Sequence, residues 1–135
     1  MAVSLIRGPH IDQIWPLIAE GLHNALLKTG GDVSLGYLWS ECAAGRAFLY
    51  VYGTETADGA AIFRPETWLT GEKLRVLALY GDEQATVEFL ELARNLARAV
   101  GASSFVAEAR DGWPRHPTAK GLKVKKLRTL YEVPV

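Results

Sequence analysis

The sequence predicts an α/β chain of the α+β type, with a mixed, mostly antiparallel sheet, one parallel pair of strands at its centre and helices on both faces. Three observations carry this expectation. In residues 74–80, Leu-Arg-Val-Leu-Ala-Leu-Tyr, nearly every side chain on both faces is apolar, which a strand tolerates only when a layer covers each side. Two strand-like runs before it, joined to it and to each other by short turns, read as an antiparallel meander. After it comes an amphipathic helix and a further strand, and a strand–helix–strand crossover makes the two flanking strands parallel.

Composition bounds the rest. A chain of 135 residues, 49% hydrophobic, fills one domain spanning residues 1–135 and is too short for two ordinary ones. Fifteen bases balance fifteen acids, so no global field recruits nucleic acid or an acidic membrane. The single cysteine, Cys42, excludes an internal disulfide. The first ten residues lack the basic start and apolar run of a signal peptide, and no segment approaches the roughly 20 apolar residues that span a bilayer. The expected setting is cytoplasmic.

Residues 2–6 read as a first strand stopped by Gly8-Pro9. Ile11, Ile14, Trp15, Ile18, Leu22, Ala25 and Leu26 then form a helical stripe, with Asp12 as cap, Pro16 in the first turn and Gly30-Gly31 as the stop. Ser34 caps a second helix whose Leu35, Leu38, Trp39 and Cys42 face inward until Gly45. The period changes to two at Phe48-Leu49-Tyr50-Val51-Tyr52. A turn at Asp58-Gly59 leads to residues 60–64, where Pro65 predicts a break or bulge before Thr67-Trp68-Leu69, and residues 70–72 turn into the central strand. The long helix runs from the cap Asp82 to Gly101, with Phe89, Ala93, Leu96 and Val100 on its inner stripe. Residues 103–109 are a strand, residues 111–121 a loop with one or two helical turns. Residues 122–133 read as one or two closing strands, with Leu127, Thr129, Tyr131 and Val133 on a common face.

Several chemistries drop out. His10, His23 and His116 lie on separate segments with no ligand spacing, so no metal site is expected. Cys42 reads as a small core residue. There is no Gly-x-Ser-x-Gly elbow and no Gly-x-x-x-x-Gly-Lys-Ser/Thr loop. Lys120, Lys123, Lys125, Lys126 and Arg128 form the one dense basic stretch; it reads as a solvated edge, with local nucleic-acid contact as the other reading. Phe48, Tyr50 and Tyr52 read as core, Trp68 and Trp113 as exposed contacts or cleft walls.

The order strand, helix, helix, three-strand meander, long helix, strand, short helical loop and closing segment resembles the GNAT (Gcn5-related N-acetyltransferase) fold over essentially the whole chain. The points that carry it are residues 73–101 and the ending Gly121-Leu-Lys-Val-Lys-Lys-Leu-Arg-Thr-Leu-Tyr-Glu-Val. The resemblance implies that the central strand and its parallel neighbour splay apart and that acetyl-CoA lies between them, its thioester carbonyl near Leu79 and Tyr80. It implies a diphosphate seat on the following turn, where Leu79, Tyr80, Gly81, Gln84 and Ala85 would hold the cofactor. It also implies a base and an acid for acyl transfer, for which Glu108 and Tyr80 are the candidates. The turn departs from the family pattern, because Asp82 and Glu83 stand where glycines normally admit the diphosphate. A start like Ile-Trp-Pro-Leu-Ile, the acidic turn and the closing Thr-x-Tyr-Glu are similar to GNAT-like proteins of tailed phages and prophages. Two readings follow. The first is a non-catalytic, phage-type accessory or virion-associated interaction protein, needing no cofactor and partnered by a phage particle or by itself. The alternative is an atypical N-acetyltransferase with acetyl-CoA as co-substrate.

Overall fold

In a computed structural model, residues 2–29, 31–53 and 55–135 are described. Strand β1 (Val3–Ile6) is followed by helices α1 (Gly8–Lys28) and α2 (Leu35–Ala43), then by strands β2 (Phe48–Tyr52), β3 (Gly59–Trp68) and β4 (Gly71–Tyr80). Helix α3 (Glu83–Ala99) leads to β5 (Ser104–Ala107), and two 3-10 turns, Trp113–Arg115 and Pro117–Ala119, come after it. The sheet has the order β1-β2-β3-β4-β5, antiparallel except for the parallel pair β4–β5. The predicted α+β architecture is thus the observed one.

Each sheet face carries its own core. Ile18 and Leu22 of α1 and Leu38 of α2 pack against Leu49, Val51 and Ile62 on one face. On the other, Phe89, Ala93 and Ala97 of α3 cover Phe63 and Leu74. Aromatic side chains of β2 join the second face edge-on, Tyr50 to Phe63 at 5.9 Å and Tyr52 to Phe89 at 6.3 Å between ring centroids. Two caps form as the residue types dictate: the Ser34 hydroxyl accepts the Tyr37 N–H at 3.1 Å, and the Asp82 carboxylate accepts that of Ala85 at 2.8 Å. Gly101, with φ at 75°, closes α3 in the left-handed conformation.

Several boundaries differ from expectation for identifiable reasons. Gly8-Pro9 starts α1 instead of preceding it, since proline in a first turn gives up only an N–H that has no helical partner. Pro16 consequently sits well inside the helix, and Asp12, no cap, accepts the Trp39 indole N–H at 2.8 Å and ties α1 to α2. That bond holds Trp39 outward, and Glu41 takes an inner place beside Leu38 and Cys42. Helix α1 ends at Lys28; of the expected Gly30-Gly31 stop, Gly30 falls outside the described residues. Strand β3 runs unbroken through Pro65, because β2 ends opposite Phe63 and the strand has an open edge beyond it where a missing N–H is harmless. Leu69 is not a strand residue but lies, fully exposed, at the hairpin tip. On α3, Ala97 is buried while Val100 is exposed.

Residues 122–135 form no regular element, so the expected closing strands are absent. Alternation reports a segment able to pair, not the presence of a partner. Four bases between residues 123 and 128 resist a close neighbour, and Lys126 reaches Asp111 at 3.3 Å instead.

Candidate functional site

The site begins with a mismatch between two strands. Parallel pairing of β4 with β5 runs from Lys73 opposite Ser104 to Val76 opposite Ala107 and then stops. Strand β4 continues through Leu77, Ala78, Leu79 and Tyr80 with β3 on one side and no strand on the other. A bulge marks the point of departure. Ile62 lies opposite Ala78 and Phe63 opposite Val76, so Leu77 is an extra residue that turns β4 out of its regular ladder. Backbone amide groups that a neighbouring strand would have used are left facing a gap.

That gap is a cleft of about 360 Å³. Leu77, Ala78 and Leu79 form one wall, Ala107, Glu108 and Ala109 the other, and Trp113 closes it from the 3-10 turns. The cleft passes through the sheet. Thr86 and Leu90 of α3 line its opening on one face, Tyr37 of α2 with Arg64, Glu66 and Arg75 its opening on the other.

At the α2 opening the charges are arranged as an array. The Glu66 carboxylate accepts from Arg64 at 2.6 Å, from Arg75 at 2.9 Å and from the Trp68 indole at 2.9 Å. Burial alone would raise its pKa, but the hydrogen bonds from Arg64, Trp68 and Arg75 outweigh it and hold the carboxyl at about 2, against an ordinary 4.5. Arg64 also donates to Glu41 at 2.9 Å and to the Tyr37 hydroxyl. Burial works against the Arg64 charge, yet its bonds to Glu66, Tyr37 and Glu41 raise its pKa. Glu41 is shifted down, first by the Arg46 hydrogen bond, against the effect of burial. The guanidinium of Arg75 lies 5.6 Å from the Trp68 ring centroid and that of Arg64 5.7 Å from Tyr37. Each arginine is therefore paired with a carboxylate and set against an aromatic ring.

Glu108 is the least engaged carboxylate of the central wall. Among the described residues its one ion pair, to Arg75 Nη1, is 3.8 Å long, beyond hydrogen-bond reach, and its side chain is 39% exposed. It lies just past the end of β5 and not within the strand as expected, which leaves it free to turn into the cleft.

At the α3 opening the arrangement is self-contained. Besides the Ala85 amide bound by its side chain, Asp82 accepts the Thr86 N–H at 2.9 Å and the Thr86 hydroxyl at 2.8 Å on its own carbonyl oxygen. The Gln84 amide donates to Glu88 at 3.3 Å. Gly81, at φ 152°, packs so closely that a Cβ there would lie 2.8 Å from that of Ala85.

Of the residues singled out from sequence, Leu79, Glu108 and Trp113 line the cleft, and so does Arg128 from the basic stretch. Tyr80 turns the other way. Its ring lies against Gly21 of α1, where a Cβ would approach within 2.4 Å, and its hydroxyl points to the Ala57 carbonyl at 3.4 Å. Gly81, Gln84 and Ala85 form the turn beside the cleft without lining it. Cys42 is buried, its thiol pushed up to about 12 by burial and then by Glu41, which makes it inert as a nucleophile. Lys120, Lys123 and Lys125 stand exposed. The array of Arg64, Glu66 and Arg75 was missed from sequence. Its signal was the alternation Arg64-x-Glu66-x-Trp68, which puts two opposite charges and an aromatic ring on one face of the strand. Among the described residues no group of three His, Cys, Asp or Glu could hold a metal ion, and no helix is long and apolar enough to cross a membrane.

No family model matches the sequence and no curated protein does. Solved structures match throughout. A probable acetyltransferase superposes with a TM-score of 0.70 at 14% identity, covering 100% of this chain and 98% of that one. A predicted acetyltransferase from Clostridium acetobutylicum, solved with acetyl-CoA, gives 0.67 at 12% identity, covering 98% and 94%. Ribosomal-protein-alanine N-acetyltransferase from Brucella melitensis biovar Abortus 2308 gives 0.67 at 15% identity over 100% of both chains. Likeness of this extent at such low identity establishes architecture: the chain has a GNAT-like fold with a parallel β4–β5 pair.

Proposed function

We propose that the protein is an N-acyltransferase that moves an acyl group, acetyl in the simplest case, from a pantetheine thioester such as acetyl-CoA to a primary amine. The observation that carries this reading is the divergence of β4 from β5 after Val76 and Ala107, with a bulge at Leu77 and a cleft that opens on both faces of the sheet. A thioester enters from the α3 face and an amine from the α2 face, so the two reactants meet at the β4 backbone. The solved acetyltransferases of the same fold, one of them holding acetyl-CoA, support it.

In this reading Glu108 takes a proton from the incoming ammonium and leaves a neutral amine. The nitrogen lone pair attacks the thioester carbonyl carbon and forms the C–N bond. Oxyanion charge is met by β4 amide N–H groups that have no strand partner. The C–S bond then breaks, the nitrogen's second proton passes to the departing sulfur, directly or through water, and the thiol leaves. Tyr80 contributes packing, since its hydroxyl is directed to Ala57. Nothing in the structural likenesses favours the non-catalytic, phage-type accessory expectation.

Incubation with acetyl-CoA and a panel of primary amines tests the reading. Thiol release is expected to require an amine and to be accompanied by amide product. No release with any amine, together with an unfolding midpoint unmoved by about 1 mM acetyl-CoA or acetyl-pantetheine, would overturn it.

A further inference from the structure

We propose that the cleft recognises its donor through the acyl group and the uncharged pantetheine arm alone, with no seat for a diphosphate, so that the donor class is the pantetheine thioesters and not CoA esters in particular. This rests on the acyltransferase reading. A donor with its thioester against Leu77 and Leu79 leaves the sheet past Thr86 and Leu90, which brings any diphosphate to the N-terminal turn of α3. A helix N-terminus binds phosphate when its N–H groups point outward and are free.

Here the Asp82 carboxylate already caps that turn and takes one of its amides, while those of Glu83 and Gln84 have no acceptor among the described residues and lie next to the Asp82 and Glu83 acids. The Ala85 amide bonds the Asp82 carboxylate at 2.8 Å, the Thr86 amide and hydroxyl bond the Asp82 carbonyl at 2.9 and 2.8 Å, and the Gln84 side-chain amide bonds Glu88 at 3.3 Å. Packing fixes the position of the turn. The turn is pressed onto β3, where a Cβ on Gly59 would lie 2.8 Å from the Tyr80 carbonyl oxygen and 3.3 Å from Gly81 Cα. Matching this, the cleft is lined by Thr86 and Leu90 but by no residue from 81 to 85. Asp82 and the exposed Glu83 add negative charge where the diphosphate would pass. A carboxylate that satisfies a helix N-terminus is stable there, and a polyanion must displace it or lie against it.

Titration calorimetry with acetyl-CoA and acetyl-pantetheine, at low and high salt, separates the outcomes. Dissociation constants within about threefold of each other are expected. The constant for acetyl-CoA should fall as NaCl rises from about 20 to about 500 mM, because repulsion is screened, while that for acetyl-pantetheine stays put. Asp82→Asn, which keeps an N-cap side chain, should tighten acetyl-CoA by about two- to fivefold and leave acetyl-pantetheine unchanged. Acetyl-CoA binding ten times or more tightly than acetyl-pantetheine, weakened by salt, would overturn the inference and leave the acyltransferase reading standing. Binding of neither thioester would remove both.

Discussion

The two ends of the cleft handle charge in opposite ways. At the α2 opening, side chains from three different elements converge: Glu41 from α2, Arg64 and Glu66 from β3, Arg75 from β4. Acids and bases there hold one another, partly buried, and none can change its ionisation without stranding a partner. At the α3 opening, one residue acts within a single turn, Asp82 accepting the amides of Ala85 and Thr86. The first arrangement is long-range and sensitive to any deletion; the second is local and cheap to alter. Between them stands Glu108, which touches the α2 array only through a long 3.8 Å ion pair to Arg75. The difference teaches that the α2 side is a wall of mutually paired charges fixed from three elements, whereas the α3 side is an acidic turn held by its own helix cap.

Breaking the centre of this comparison should have the largest effect. Glu108→Gln is expected to lower kcat for amide formation by about 10²-fold or more while leaving the unfolding midpoint unchanged, measured by steady-state kinetics beside a thermal melt. Unaltered turnover would move the base to one of the two ends.

Next in size is the α2 array. Glu66→Ala leaves Arg64 and Arg75 facing each other without their shared partner and should destabilise the fold by about 2–3 kcal/mol in urea unfolding. Its pH signature has a definite sign. The folded pKa is depressed, so the contribution of Glu66 is full above the ordinary value of 4.5 and is lost as pH falls from there through about 2. Acid titration of unfolding stability should show this loss in the parent and a smaller one in Glu66→Ala.

The α3 end should respond more weakly and to geometry before charge. Gly81→Ala places a Cβ 2.8 Å from Ala85 at a φ of 152° and should cost about 1–3 kcal/mol. Asp82→Ala should cost about 1 kcal/mol by loss of the cap, and Asp82→Asn only a few tenths, since Asn caps as well as Asp. Equal losses for the two Asp82 variants would show that the charge, and not the cap, stabilises this turn.

What could be read from the sequence follows the same division. The α3 end was legible because it is local: Asp82, the apolar period of α3 and Gly101 specify a capped helix within twenty or so residues, and the strand before it is apolar on both faces. The parallel β4–β5 pair followed from chain order. The α2 end was illegible because it depends on register. Arg64 lies opposite Arg75, an adverse pairing, and only the placement of Glu66 and Glu41 around them makes it favourable. Gly8-Pro9 misled because the same pair that stops a strand also opens a helix. The closing segment misled in the other direction, since Leu127, Tyr131 and Val133 have strand character but stand exposed with no strand beside them.

The central claim is that a thioester lies against the unpaired side of β4, and amide hydrogen exchange tests it at that place. Peptides covering Leu77, Ala78, Leu79 and Tyr80 should exchange more slowly when saturating acetyl-CoA is present, while those from the fully paired strand β2 remain unchanged. Identical exchange of the β4 peptides with and without the thioester would contradict it.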